Sequence, residues 1–488
     1  MPSTRRKFIE AASSFPALAS AAQAVLSLPV HAATEGYQSN LLPSQKAVWE
    51  WQLWMAKLGP KYTGNRAHRT FVEFLAKYLG DAGLDVSRDH YSFPRWEARR
   101  WEIMVTPQTG SVFAPPVTSY FPYSGATSSS GVTGDLIYAG TGPDFEISDK
   151  LKGKIAVIDC PTSERPYGEW YKVWGVYPSD VKFPSSVRPA RSSVNQLTDF
   201  QKAGALGVIL SWTDISDANA ADQYTPFSRP IQNIPALWVG RETGATLRIL
   251  ARDGARATLT LEAEVTPDSP TDTLIATLPG ASPDEAIIVN THTDGPNAIE
   301  ENGGLGILAL AKYFAQIPKD QRRRTLVFAL TTGHFAGPWV PSIRGVIDKH
   351  PDLIKKTVAA VTIEHLGCRE WADDASLHYK ATGENELSVA LSPHQSTAKV
   401  LLDCLEDSAN RRNAVVNPVK GGFLGEGSAL ARAGVPTIGY MPMPNYLLAG
   451  PQDGCIEKVS PELLHSQIEV FAKVIHTFDK MTAAQLRA

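Results

Sequence analysis

Four short apolar runs in the second half of the chain each bring ionisable residues to one end, and few folds accommodate that pattern. Ile287-Ile288-Val289 runs into His292-Thr293-Asp294, Leu326-Val327-Phe328 into Gly333-His334, and Val358 to Ile363 into Glu364-His365. A fourth run, Pro436 to Tyr440, follows Gly425-Glu426-Gly427. Continuous apolar stretches of this length, separated by helix-period segments, read as buried parallel strands. In open α/β sheets, chemistry gathers just beyond the carboxyl ends of such strands. Imidazoles and carboxylates delivered there from separate strands point to a metal or acid–base site.

A chain of 488 residues is too long for one simple core, so two or more domains are expected. Its 47 basic and 50 acidic residues are well mixed and leave a net charge of −3, which gives no reason to expect nucleic acid or an anionic membrane as partner. Ser3-Thr4-Arg5-Arg6-Lys7-Phe8-Ile9 resembles a twin-arginine export signal, with an Ala-rich stretch from Ala11 to Leu28 and a small-residue cleavage site at Val30-His31-Ala32. A signal peptide over 1–32 is therefore expected, and a mature protein that is periplasmic or secreted from a bacterium. No other stretch reaches the ~18 apolar residues of a membrane span. Cys160, Cys368, Cys404 and Cys455 show no metal or redox spacing and are expected as buried free thiols.

Along the chain, a Trp-rich amphipathic helix is expected from Ser44 to Leu58 and a second from Arg66 to Ala82, closed by Gly83 before a strand at Leu84-Asp85-Val86. From about 111 to 265 Gly, Pro, Ser and Thr dominate and short β-like runs alternate with turns, as in a small inserted domain. Its aromatic cluster of Tyr167, Trp170, Tyr171, Trp174 and Tyr177 is either a local mini-core or a platform over the active site. From Thr273 a regular βα alternation runs to a closing helix at Pro461 to Lys480. The fold class expected is α/β, a mixed, mostly parallel sheet flanked by helices and formed by 33–110 and 266–488, with a small β-rich insertion at 111–265.

Several segments resemble the co-catalytic zinc aminopeptidase and glutamate carboxypeptidase family with an inserted protease-associated domain: Tyr62-Thr63-Gly64, Gly153 to Val157, Ala203 to Val208, Ile234-Pro235-Ala236, His292-Thr293-Asp294 and Ala433 to Pro436. The resemblance implies two zinc ions, five ligands and a glutamate base. It implies His292 as a ligand and Asp294 as its support. The bridging aspartate maps to Glu301, the Glu-Glu pair of base and ligand to Gly333-His334, and the later aspartate to Glu364, followed by His365; for the late histidine only Asn445-Tyr446 is found.

Glu301, His334 and Glu364 remain metal-ligand residue types, so His292, Glu301, His334 and Glu364 are expected to hold one divalent metal, zinc first. With Gly333 at the base position, His365 or Glu426 is expected as the substitute base; Glu300 is an alternative that reads as a loop residue facing water. Trp170 and Trp174 are the candidate substrate contacts. The expected function is an exported metal-dependent hydrolase of a small amide, peptide or conjugate. A non-catalytic binding protein on the same architecture and saccharide or aromatic chemistry are the alternatives, since fold does not dictate function.

Overall fold

The computed structural model describes residues 36–488 apart from 143, 163–164, 182–185, 188–196, 407 and 420–421. The expected signal segment 1–32 lies outside these. The four apolar runs occupy the centre of one large sheet. Arg324–Thr331, Ser282–His292, Thr357–Ile363 and Thr437–Pro442 lie side by side in that order, all parallel. Both faces are covered, which is why these strands are continuously apolar rather than alternating. Ile287, Val289, Leu326 and Phe328 point into a core made with the helices Arg66–Asp81, Gly303–Ala315 and Pro461–Lys480. Ile288, Val327 and Ala360 point the other way, onto Ile343–Lys349 and Gly427–Arg432. Ile343–Lys349 and Pro351–Lys356 are separated at His350, because Pro351 has no amide proton to donate and disfavours helical backbone before it.

Two elements differ from the expectation in a way that matters for the site. The strand expected at Leu84 runs from Asp85 to Thr106 and pairs antiparallel with Arg256–Leu278 along its whole length. This ribbon leaves the main sheet and joins a second unit, so the expected boundary at 265/266 falls inside one continuous strand. In the second unit Val132–Thr141, Lys154–Cys160, Gly207–Trp212 and Ala236–Val239 run parallel. They surround a separate core of Phe121, Phe200, Trp212 and Trp238. Tyr171–Tyr177, expected inside that unit, instead pairs antiparallel with Asn413–Pro418 and forms an edge of the main sheet. The four cysteines are buried and free. Among the described residues no helix is long and apolar enough to cross a membrane.

Candidate metal centre

The parallel register places the ends of three central strands together. His292 ends its strand, His334 lies three residues beyond Thr331, and Glu364 and His365 follow Ile363. Helices return antiparallel to such strands, so their N-termini arrive at the same edge. Glu300 precedes the helix Gly303–Ala315, and Glu426 is the residue before Gly427–Arg432. Asn302 clamps the two halves, its amide donating to Leu366 O at 2.8 Å and its oxygen accepting from Leu366 N at 2.7 Å. His365 holds a left-handed backbone, φ +57°, and Ser342 another, φ +48°. Strain of this kind in non-glycine residues collects at functional sites.

All three histidines are oriented alike. Nδ1 of His292 donates to Asp294 O at 2.8 Å, and Nδ1 of His365 to Pro442 O at 2.7 Å. Nδ1 of His334 faces Glu426 Oε1 at 3.1 Å. A proton fixed on Nδ1 leaves the Nε2 lone pair free, the arrangement that metal-binding imidazoles adopt. Those Nε2 atoms converge on two carboxylates. His292 lies 3.6 Å from Glu364 Oε2, His365 lies 3.8 Å from Glu364 Oε2 and 3.2 Å from Glu300 Oε2, and His334 lies 3.9 Å from Glu300 Oε1. Donors around a tetrahedral zinc with bonds of ~2.0–2.1 Å sit roughly 3.4 Å apart, so these spacings fit. His292, Glu300 and His334 form one possible ligand triad, and His292, Glu364 and His365 a second. Nε2 of His292 and of His365 and Oε2 of Glu300 are buried without a hydrogen-bond partner. Orphaned donors of one cluster, aimed at one another, are what a cation would satisfy.

The electrostatics agree. Burial opposes charge on His292, but Glu364, Glu300 and Asp294 outweigh it and hold the imidazole up at about 10. His365 is likewise raised, with burial overcome by Glu300 and Glu364. Burial would raise Glu300 and Glu426, yet the neighbouring imidazoles win: Glu300 falls below the usual carboxylate range and Glu426 reaches about 2. Carboxylates that draw protons onto buried imidazoles would draw a divalent ion to the same place.

No protein-family profile matches the chain, and no curated protein sequence does. Solved structures do match. A zinc aminopeptidase from Bacillus subtilis superposes with a TM-score of 0.62 at 16% identity, over 91% of this chain and 98% of that one. A Peptidase M28 precursor from Shewanella amazonensis gives 0.64 at 17% identity, over 90% and 98%. An aminopeptidase from Aneurinibacillus gives 0.57 at 15%, over 92% and 95%. The chain has the zinc-aminopeptidase fold.

Within that fold the candidate residues separate. His292, His334 and Glu364 stand in the cluster, and His365, expected as a base, stands among them with its Nε2 facing two carboxylates. Glu301 does not join. Its carboxylate turns away and meets Lys61 Nζ at 2.6 Å, both side chains fully buried. Burial lifts Glu301 to about 7, against the pull of Lys61. Glu300, expected in water, is instead buried at 2% exposure and supplies the carboxylate. Two acids in tandem before a helix must diverge, and sequence does not say which one turns inward.

Glu426 also takes a different position from a free base. Its Oε2 accepts from Ser342 Oγ at 2.7 Å and Ile343 N at 3.1 Å, while Oε1 holds His334. Asp294 supports His292 through its carbonyl; its carboxylate accepts from Phe335 N at 2.8 Å, Gly333 N at 3.2 Å and the Thr63 hydroxyl, and so fixes the turn that carries His334. Gly333 has φ +104°, and a Cβ there would lie 2.5 Å from Val340 Cγ1, so no glutamate fits without moving Val340.

Trp174 is an edge-strand residue whose indole N–H donates to Ser392 O at 2.8 Å and whose ring packs on the main core. Trp170 belongs to the short turn before that strand, its carbonyl accepting from Val419 N at 2.7 Å. The aromatic surface at the cluster comes from elsewhere. Phe227, in the second unit, stacks on His334 at 5.1 Å, and His334 stacks on His292 at 4.2 Å. Phe335, Tyr224 and Tyr62 continue it. No periodicity marks Phe227, because its loop meets the site only across the junction of the two units.

Proposed function

We propose that this chain is a metal-dependent hydrolase of amide bonds in peptides or small conjugates, working with a single divalent ion, zinc first. The observation that carries the reading is the convergence of three imidazole Nε2 atoms, each with Nδ1 committed elsewhere, on two buried carboxylates. His292, Glu364 and His365 would hold the ion, with His334 stacked on His292 beside it, and the ion would supply Lewis acidity toward a carbonyl oxygen and acidify water. Glu300 takes the place of the missing base, since its Oε2 makes no hydrogen bond and lies against His365. It accepts a proton from the attacking water, whose oxygen adds to the carbonyl carbon, and returns that proton to the departing amine. Glu426 and Asp294 position His334, and Phe227 shelters it from solvent. A peptide substrate is supported by the aminopeptidases with which the fold is shared. The Arg5-Arg6 segment supports export to the periplasm or beyond, and a second unit whose parallel strands surround a separate core supports a protease-associated insertion.

Elemental analysis tests this reading. Protein exported from a bacterial host is expected to carry about one zinc-class ion per chain. Hydrolysis of a panel of aminoacyl and peptidyl amides should stop on chelation and return with zinc. Absence of metal, with no activity restored by added divalent ions, would favour a non-catalytic binding protein, a reading to which Gly333 at the family's base position lends weight.

A further inference from the structure

Glu300 turns to the histidines, whereas Glu301 is enclosed with a lysine, and the enclosure is lined by oxygen. Lys61 Nζ lies 2.6 Å from Glu301 Oε1, 2.8 Å from Gly59 O and 3.4 Å from Met55 O. Two carbonyls accept from the ammonium, and the carboxylate meets it as an ion pair. Lys61 and Glu301 are both fully buried, and neither carboxylate oxygen of Glu301 has a hydrogen-bond partner. The backbone of Lys61 is strapped to the loop after His292, its N–H donating to Gly295 O at 2.7 Å and its carbonyl accepting from Gly295 N at 3.0 Å. Gly295 makes the room: a Cβ there would meet Glu301 Oε2 at 2.2 Å and Glu300 Cγ at 2.7 Å. The two acidic stems therefore lie side by side against one glycine, one serving the histidine cluster and the other the lysine.

We propose that Lys61 is a tethered cation occupying an oxygen-lined cation position beside the metal centre, so that the site is confined to one exchangeable metal. The inference rests on the single-metal reading above and explains it. A buried carboxylate next to a metal cluster demands a positive charge. Carboxylate and carbonyl oxygens are the donors that hard divalent ions such as Mn2+ use. Here the chain supplies the charge covalently, and a free ion is excluded because the ammonium already fills the oxygens' centre.

The test loads wild-type protein and a Lys61→Ala variant with zinc, dialyses each against Mn2+, and measures both metals by elemental analysis, with circular dichroism and melting to establish folding. The wild type is expected to gain no Mn2+, and Lys61→Ala to gain about one Mn2+ per chain. A Lys61→Ala/Glu301→Gln double variant should lose that gain. A folded Lys61→Ala variant without Mn2+ overturns the proposal, as does a wild type that takes up Mn2+ beyond its zinc. If Lys61→Ala folds only in the presence of Mn2+, the proposal is supported. If it stays unfolded with Mn2+ while Lys61→Met/Glu301→Gln folds, the proposal is overturned. The zinc measurement separates the two readings: a wild type without zinc sinks the single-metal hydrolase, whatever Mn2+ does in Lys61→Ala.

Discussion

Replacing Glu426 by glutamine asks whether this carboxylate orients His334 or takes a proton from water. The substitution keeps shape and removes one acceptor. Glu426 now accepts on both sides, from His334 Nδ1 at 3.1 Å and from Ser342 Oγ and Ile343 N at 2.7 and 3.1 Å. A glutamine must turn its amide nitrogen to one side. Toward Ile343 it sets two donors face to face. Toward His334 it forces the ring proton from Nδ1 to Nε2 and blocks the lone pair that would bind metal. Loss of such an outer partner typically weakens metal affinity by about 10–100-fold. That range corresponds to about 1.4–2.7 kcal/mol. Competition for zinc against a chromogenic chelator reads it directly, with turnover measured at saturating metal alongside. Weaker binding with turnover largely recovered in excess zinc is the expected result. Wild-type zinc affinity together with a loss of about 10²–10⁴ in rate would refute the positioning role and make Glu426 the base.

Glu300→Gln should retain bound zinc while losing about 10²–10⁴ in turnover, seen by elemental analysis and steady-state kinetics; retained turnover would remove Glu300 as base. His68 is buried and neutral, its Nδ1 accepting from Gly64 N and its Nε2–H donating to Thr293 Oγ1, and burial pushes it down to about 4. The unfolded chain protonates it near 6.5 and the folded chain resists, so stability is complete above that pH and is lost as pH falls toward 4, by about 3 kcal/mol. Urea unfolding of His68→Gln at pH 7 and pH 4 should show a correspondingly smaller acid loss, and an unchanged one would refute the assignment. Trp174→Ala should cost about 1–3 kcal/mol of stability, less than a fully buried tryptophan, with KM unchanged; a raised KM at constant melting temperature would restore it as a substrate contact.

The sheet and its flanking helices were legible in the chain because burial on both faces writes itself as continuous apolar runs. Ser282–His292, Arg324–Thr331 and Thr357–Ile363 are nearly the expected strands, and Pro461–Lys480 is the expected helix. The structure brings His292, His334, Glu364 and His365 together because each follows the end of a central strand, where position in sequence fixes position in space. Residues outside that rule depend on their neighbours. Glu300, expected in water, faces the histidines and Glu301, expected at the metal, faces Lys61, since adjacent side chains at a helix start diverge according to what surrounds them. Composition alone groups Trp174 with the inserted unit, because it cannot report that Tyr171–Tyr177 pairs with Asn413–Pro418, more than two hundred residues away. Lys61 and Phe227 carried no signal. A charge is called into the interior by a distant carboxylate, and a ring is called onto an imidazole by the docking of two units. Periodicity thus determined the strands and which end of the sheet carries the chemistry. The tertiary structure alone decided which carboxylate faces the histidines and which is neutralised by a lysine, because those choices depend on contacts between segments that are far apart in the chain.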